Sequence, residues 1–379
     1  MALLVQKFGG TAVADPKRFR DVAARIARGF RGGDEIVVAL SAMGDETDEL
    51  LALVPEVADL PSRRELDVLI TAGERKAVAL LCMALQDQGV PAISLSGSQA
   101  GIVTDCTHTD ARILHVQSAR VRQCLAQRCV PVVAGAQGLS VDGNVTFLGR
   151  GGTDTTAVAL AAALSADACE LYTDVPGILT ADPALVPDAR LLKRISFEEM
   201  LEISRLGSPK PALQAADLAA RSRIPLHIRS AFSEEDGTWI GEATTTSPGR
   251  VTAVIVGPGP LVATGQTAEE GASSTSELAS IALIGRELAA GSEIVAKATH
   301  ALRARGIELL GITSGELHLS CAVPAADVAA AARTLHAAFE LGDGGEAAGN
   351  GTGPDPRDAV SSVLSEDDQS QRPAEATLG

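Results

Sequence analysis

From residue 2 to about 242 the chain alternates two textures, and that alternation limits the folds open to it. Short runs rich in leucine or β-branched residues occur at 3–7, Glu35–Leu40, Pro91–Leu95, Val130–Ala134, Ala168–Thr173 and Pro225–Arg229. Between them, helical spacing of apolar residues marks Pro16–Arg31, Asp67–Gln88, Thr109–Arg128, Thr155–Ser165, Ser196–Arg205 and Ala212–Arg223. Strands alternating with helices predict an α/β fold, with a mainly parallel central sheet between helical layers. Ligands of such sheets gather at the carboxyl ends of the strands, and Lys7, Ser41 and Asp174 fall there.

The texture changes after residue 242. Gly241–Ser280 is rich in Gly, Thr, Ser and Pro, and within it Val251–Val256 reads as a single strand. A β-α-β-β-α pattern follows over Ser280–Ile284, Ser292–Arg305, Glu308–Thr313, Glu316–Val323 and Ala325–Glu340, the order of a small ferredoxin-like module. The expected units are a domain at 1–242, a linker at 243–279, a module at 280–341 and a disordered acidic tail at 342–379. The tail holds eight acids against Arg357 and Arg372, a net charge of −6.

Composition narrows the function. Aromatic residues supply only 2% of a chain that is 46% hydrophobic, so Ala, Val, Leu and Ile must fill the core. A formal charge of −16 argues against nucleic acid as a partner. No apolar run is long enough to span a membrane, and MALLVQKFGG is too soon interrupted for a secretory signal, so a cytoplasmic protein is expected. The six cysteines form no CxxC and have no histidine cluster beside them, which reads as reduced core thiols and no metal site. His227, in the strand-like Ile224–Arg229, reads as structural. A dinucleotide-binding fold is disfavoured, since no Gly-x-Gly-x-x-Gly follows a strand.

Two segments carry the chemistry. Gly149-Arg-Gly-Gly-Thr-Asp-Thr155 is a glycine-rich turn, with one arginine and one carboxylate, that runs into an alanine-rich helix. Exposed backbone N–H groups at a helix start, beside a fixed cation, receive anions. Leu3–Thr11 ends a short apolar run with Lys7 and the pair Gly9-Gly10, a second such receptacle. The chain has no catalytic triad and no Gly-x-Ser-x-Gly elbow. Phosphorylation of a carboxylate needs neither, because an acid of pKa about 4 is already ionised at neutral pH. Its difficulty is repulsion between anions, which cations, backbone N–H groups and Mg²⁺ relieve.

The motifs Lys7-Phe-Gly-Gly-Thr11, Ser41-Ala-Met-Gly-Asp45 with Thr47-Asp48, Thr71-Ala-Gly-Glu74, Gln99–Asp105, Gly149–Asp154 and Tyr172-Thr-Asp174 stand in the order found in aspartate kinases. Over residues 3–240 the chain resembles that family, part of the amino acid kinase superfamily, and 280–341 resembles the second of its two regulatory ACT modules. The resemblance implies transfer of the ATP γ-phosphate to the side-chain carboxylate of L-aspartate, giving 4-phospho-L-aspartate, with Mg²⁺ held mainly by the nucleotide phosphates. It implies that Lys7 neutralises the transferring group and Asp154 organises the active-site lysines. Arg150 would grip the substrate α-carboxylate and Glu74 its α-ammonium, with Ser41, Thr47 and Thr153 hydrogen-bonding the acceptor. Gly9, Gly10, Thr11, Gly152, Thr173, Asp174, Asp182 and Lys210 would serve the nucleotide.

Departures from the family pattern collect on the nucleotide side. Ala12 replaces a serine, Leu179 a tyrosine and Ala184 an arginine, and Pro209 stands where the family has its phosphate-binding lysine, with Lys210 one residue late. Three readings stay open: an ordinary kinase with Lys210 reaching the phosphates, a paralogue with another acceptor or donor, or a non-catalytic amino acid binder. The first ACT module is largely missing between 241 and 280. Little feedback inhibition by lysine plus threonine is therefore expected, together with a homodimer through the C-terminal module.

Overall fold

The computed structural model of the chain describes residues 1–207, 210–243, 250–257, 278–286, 288 and 292–342. β1 (Leu3–Phe8) runs through a 3-10 turn (Gly10–Val13) into α1 (Pro16–Arg31) and β2 (Glu35–Leu40). The short α2 (Glu46–Ala52) and α3 (Val54–Val57) precede the long α4 (Arg63–Asp87) and β3 (Ala92–Leu95). Next come β4 (Ile102–Thr104), β5 (Ile113–Val116), α5 (Ala119–Ala126), β6 (Val130–Ala134), β7 (Gln137–Ser140) and β8 (Val145–Phe147). The domain closes with α6 (Gly152–Leu164), β9 (Ala168–Thr173), β10 (Arg194–Ser196), α7 (Phe197–Leu206), α8 (Leu213–Ser222), β11 (Leu226–Ser230) and β12 (Thr238–Gly241). The C-terminal part holds β13 (Val251–Val256), β14 (Leu278–Gly285), α9 (Ser292–Ala304), β15 (Gly311–Ser314), β16 (His318–Pro324) and α10 (Val328–Ala338).

Eight strands make the central sheet, in the order β10-β12-β11-β9-β1-β2-β6-β3, and every pairing is parallel except β11 with β12. Side-chain alternation divides its residues between two cores. Val5, Val37, Ala39, Val133, Cys169 and Leu171 pack on the side of α5, α6, α7 and α8. Phe8, Ile36, Val38, Leu40, Val132 and Tyr172 pack on the side of α1 and α4. Alanines let α6 lie close against the sheet, and Gly152–Ala161 is buried throughout. α1 begins where Pro16 and the Asp15 cap require it, the Asp15 carboxylate accepting from the Lys17 and Arg18 N–H groups.

One stretch departs from its periodicity. The helix predicted over Thr109–Arg128 is instead strand β5 followed by the shorter α5. β5 pairs antiparallel with β4 in a second sheet, β5-β4-β7-β8. The turn before it is pinned by Asp67, a fully buried carboxylate of α4 that accepts the Thr109 N–H at 2.9 Å and lies 2.6 Å from His108 Nδ1. Tertiary bonds thus override local helical spacing.

At the C-terminal end a third sheet runs β13-β14-β16-β15 beneath α9 and α10. β13 pairs antiparallel with β14, so the strand expected within 243–279 completes the sheet of the following module. The module docks on the segment after β9. Thr180 Oγ1 lies 2.9 Å from His336 Nε2, the Val254 N–H donates to the Thr180 carbonyl, and Arg333 donates to the Leu185 carbonyl. Pro209, the Glu287–Ser292 turn for the most part, and the tail beyond Gly342 lie outside the described residues.

Candidate active site

Parallel pairing brings the carboxyl ends of β1, β2, β6 and β9 to one edge. Lys7 lies opposite Ala39 on β2 and Leu171 on β9, and Leu40 lies opposite Ala134 on β6. The start of α6 closes this edge. Lys7 Nζ and Asp154 Oδ1 are 2.6 Å apart, with side chains 13% and 8% exposed. An ion pair this dry needs its geometry held, since either partner alone would be a buried charge. Asp154 also accepts from the Ala212 N–H at 3.4 Å, which ties α6 to the start of α8. The N-cap of α6 is Gly151, and Asp154 lies in the first turn of the helix. Gly151 has φ +74°, and a Cβ there would lie 2.4 Å from the Ala212 methyl, so this turn requires glycine.

Beside this pair, Ser41 Oγ donates to Thr153 Oγ1 at 3.0 Å, joining the end of β2 to α6. Glu74 approaches from α4. A Cβ at Gly73 would lie 2.9 Å from the Ala42 methyl, so the helix crosses the β2 loop at a distance only glycine permits. Glu74 is 3% exposed and its Oε2 has no hydrogen-bond partner. Burial pushes its pKa up to about 7; its own amide and that of Ala42 pull it down, and the charge of Glu46 pushes it further up. Glu46 is itself paired with Lys76 at 2.6 Å. A buried carboxylate with an empty oxygen beside a hydroxyl pair is suited to a cationic ligand group.

The other end of the edge is more open. Thr173 Oγ1 donates to Asp174 Oδ1 at 2.9 Å, and Lys210 Nζ meets the same oxygen at 2.5 Å. The Lys210 and Asp174 side chains are 46% and 43% exposed. The Lys210 hydrogen bond, more than any other cause, holds the Asp174 carboxyl below its ordinary range. Gly9 and Gly10 lead out of β1, and the Gly44 N–H donates to the Gly10 carbonyl at 3.1 Å, joining the β1 and β2 loops.

The structure therefore joins Lys7 to Asp154, Ser41 to Thr153, and Thr173 to Asp174 and Lys210 by direct contacts. Arg150 is exposed on the turn that opens α6, Gly152 is buried in its first turn, and Thr47 is half-buried on α2. Thr11 is exposed, and its carbonyl accepts from Arg18. Asp182 stands apart: it is exposed, accepts the Ala184 N–H at 2.9 Å, and belongs to the segment on which the C-terminal module docks. Sequence reasoning missed the Ala212 N–H, Glu46 and the Asp67–His108 pair. Each acts through a tertiary contact that no local pattern signals.

Comparison with known proteins agrees with this geometry. A sequence model described as the amino acid kinase family matches residues 2–230, and one of an ACT domain matches 281–339. The chain is 52% identical to an aspartokinase of Mycolicibacterium smegmatis over 239 residues, which is 63% of this chain and 57% of that protein. It is 36% identical to an aspartokinase of Corynebacterium glutamicum over 413 aligned positions, 92% of this chain and 98% of the relative. The solved structure of E. coli aspartokinase III with aspartate and ADP superposes with a TM-score of 0.75 at 22% identity, covering 89% of this chain and 99% of that one. Aspartate kinase from Synechocystis superposes with a TM-score of 0.59 at 33% identity, over 89% of this chain and 70% of that one. The chain belongs to the amino acid kinase family, and within it to the aspartokinases. Of the M. smegmatis relative it spans less than two thirds.

Proposed function

We propose that the chain transfers the γ-phosphate of ATP to the side-chain carboxylate of L-aspartate, giving 4-phospho-L-aspartate and ADP. The observation that carries this is the Lys7–Asp154 pair at the sheet edge, flanked by the Ser41–Thr153 hydroxyls and the part-empty Glu74 carboxylate. Glu74 takes the substrate ammonium, and Arg150, exposed on its glycine turn, takes the α-carboxylate. Thr47 completes the hydroxyl set. The side-chain carboxylate, already ionised, forms a bond to the γ-phosphorus while the bond from phosphorus to the β–γ bridging oxygen breaks. No proton moves, and ADP leaves with that oxygen. Lys7 supplies positive charge where negative charge gathers, and Asp154 fixes its ammonium in place.

Gly9, Gly10 and Thr11 offer backbone N–H groups to the phosphates, Gly152 lies in the first turn of α6 with its own N–H given to the Gly149 carbonyl, and Thr173 and Asp174 border the nucleotide. Lys210 swings from Asp174 to phosphate and replaces the cation lost at Pro209. Among the described residues no three His, Cys, Asp or Glu side chains converge as a metal cage. Mg²⁺ would be carried on the phosphate oxygens, where it would neutralise the leaving group. No described helix is long and apolar enough to cross a membrane, and the cytoplasm is the compartment we assign. A homodimer forms through the module at 280–341, whose edge strand β15 has all four residues exposed. With the first ACT module reduced, lysine plus threonine inhibit little; strong inhibition of purified protein at physiological levels overturns that point.

A hydroxamate trap with ATP and Mg²⁺ tests the reaction. Trapped aspartyl hydroxamate is expected, with none from glutamate. ATP consumption that does not depend on aspartate sinks the proposal.

A further inference from the structure

Away from the catalytic edge, the sheet carries a polar row that this chemistry does not use. Gln6, Glu170, His227, Trp239 and Arg194 stand opposite one another in register across β1, β9, β11, β12 and β10. Their neighbours Ile195, Ile228 and Ile240 point into the opposite core, so the row lies on the face that α1 and α4 cover farther along. Here that face opens into a cavity of about 340 Å³, a size that accommodates a small metabolite.

Its charges are unequally committed. Glu170 is satisfied from within, accepting Gln6 Nε2 at 2.8 Å and the Tyr172 hydroxyl at 3.0 Å, with Arg229 3.5 Å away. The Asp236 carbonyl accepts from His227 Nε2, and the imidazole stacks on Trp239 with ring centres 3.9 Å apart. His227 Nδ1 lies 3.6 Å from Glu170 Oε1, and among the described residues neither it nor Arg229 Nε has a hydrogen-bond partner. Lys193 and Arg194 also line the cavity, and among the described residues neither side chain has an ion-pair or hydrogen-bond partner. Two cations that line one cavity beside an aromatic wall are not a background feature of a chain with net charge −16.

We propose that this cavity is a second ligand site, for a small organic anion whose carboxylate or phosphate group is held by Lys193 and Arg194. Arg229 Nε lies within the same wall to extend the grip, and the Trp239–His227 stack supports the body of the ligand. The site is distinct from the catalytic edge, although β1 and β9 carry residues of both.

The chain has one tryptophan, Trp239, and it lines the cavity, so its emission reports occupancy directly. The full chain is titrated with inorganic phosphate and, separately, with citrate, at a constant ionic strength of about 0.15 M to hold screening fixed. Either probe is expected to give a saturable emission change, and which one does so assigns the phosphate or the carboxylate. Lys193→Ala with Arg194→Gln should weaken that binding by at least about tenfold, as loss of charged hydrogen bonds implies. Lys7→Ala should leave it unchanged. Both altered side chains reach solvent, and an unchanged circular dichroism melt would establish that the double variant folds. Three results overturn the proposal: no saturation by either probe, loss of binding in Lys7→Ala, or an emission change that follows protein rather than probe concentration. The last would mark this face as a contact between copies of the chain.

Discussion

The two ends of the catalytic edge hold their lysines differently. Lys7 and Asp154 are 2.6 Å apart and nearly dry, locked between β1 and α6. Lys210 and Asp174 are equally close but almost half exposed. Surface pairs of the second kind are worth about 0–1 kcal/mol, whereas breaking a buried pair costs about 3–5 kcal/mol. The Lys7 end is thus assembled before any ligand arrives. At the Lys210 end the weak pair can open, and in the reaction we propose phosphate oxygens would replace Asp174 as the partner of Lys210.

The largest expected effect comes from breaking the buried pair. Lys7→Ala should lower kcat by about 10³-fold, the upper range for loss of a preorganised charge-stabilising group. It should also destabilise the fold by about 3 kcal/mol, since Asp154 is left charged and buried. Adding Asp154→Asn should restore much of the stability and none of the activity. Urea melts beside steady-state rates check both halves. If Lys7→Ala melts like the parent, the contrast between the two ends is wrong.

Glu74 offers a second way to sharpen the comparison. Its pKa of about 7 lies above the ordinary carboxylate value of 4.5, so between those values the unfolded chain binds fewer protons than the folded one. Stability contributed by this residue therefore falls as pH rises from 4.5 to about 7 and stays low above. Glu74→Gln should stabilise the ligand-free protein at pH 8 by up to about 3 kcal/mol. It should also raise KM for aspartate by at least about tenfold, because a charged hydrogen bond is lost. In the parent, KM for aspartate should fall as pH rises from 6 to 8, as Glu74 ionises, and the variant should lack that trend. A KM for aspartate that is equally pH-dependent in both removes Glu74 from the ammonium site.

The same contrast explains what the sequence could disclose. β2, β6 and β9 keep their predicted bounds because their mostly apolar runs are buried on both faces of a parallel sheet, with Glu170 the one charged residue inside β9. The three-residue strands β4, β8 and β10 are too short to carry a period and went unseen. Lys7 was identifiable from its glycine pair, and Gly149–Gly152 from its composition. That Lys7 meets Asp154, or that Glu74 lies buried with an empty oxygen, depends on strand order and on the close crossing of α4 over Ala42. Neither fact has a local signature. The roles of Glu74 and Arg150 came from resemblance, because a lone Glu in a helix or a lone Arg in a turn has many ordinary explanations.

At the open end the expected effects are smaller. Lys210→Ala should raise KM for ATP by about tenfold, the cost of one charged hydrogen bond, and leave KM for aspartate alone. Its melt should shift by no more than about 1 kcal/mol. If KM for ATP is unchanged, Lys210 does not replace the cation missing at Pro209.

The smallest effect concerns what supports that end from behind. His336 of α10 is fully buried, with Nε2 2.9 Å from Thr180 on the segment that follows Asp174. Burial lowers its pKa from 6.5; the charge of Asp188 raises it, and that of Arg190 lowers it further. The unfolded chain therefore takes up a proton before the folded one does. The stability this residue contributes is complete above pH 6.5 and is lost progressively as pH falls towards the folded value. Acidification from pH 7.5 to 5.5 should lower the melting temperature of the parent more than that of His336→Gln, whose amide keeps a partner for Thr180 without titrating. Because the docked module braces the nucleotide segment and not the Lys7–Asp154 pair, acid should raise KM for ATP in the parent through His336 and leave the acceptor end to Glu74. If both variants lose ATP affinity equally, docking through His336 does not reach the nucleotide end.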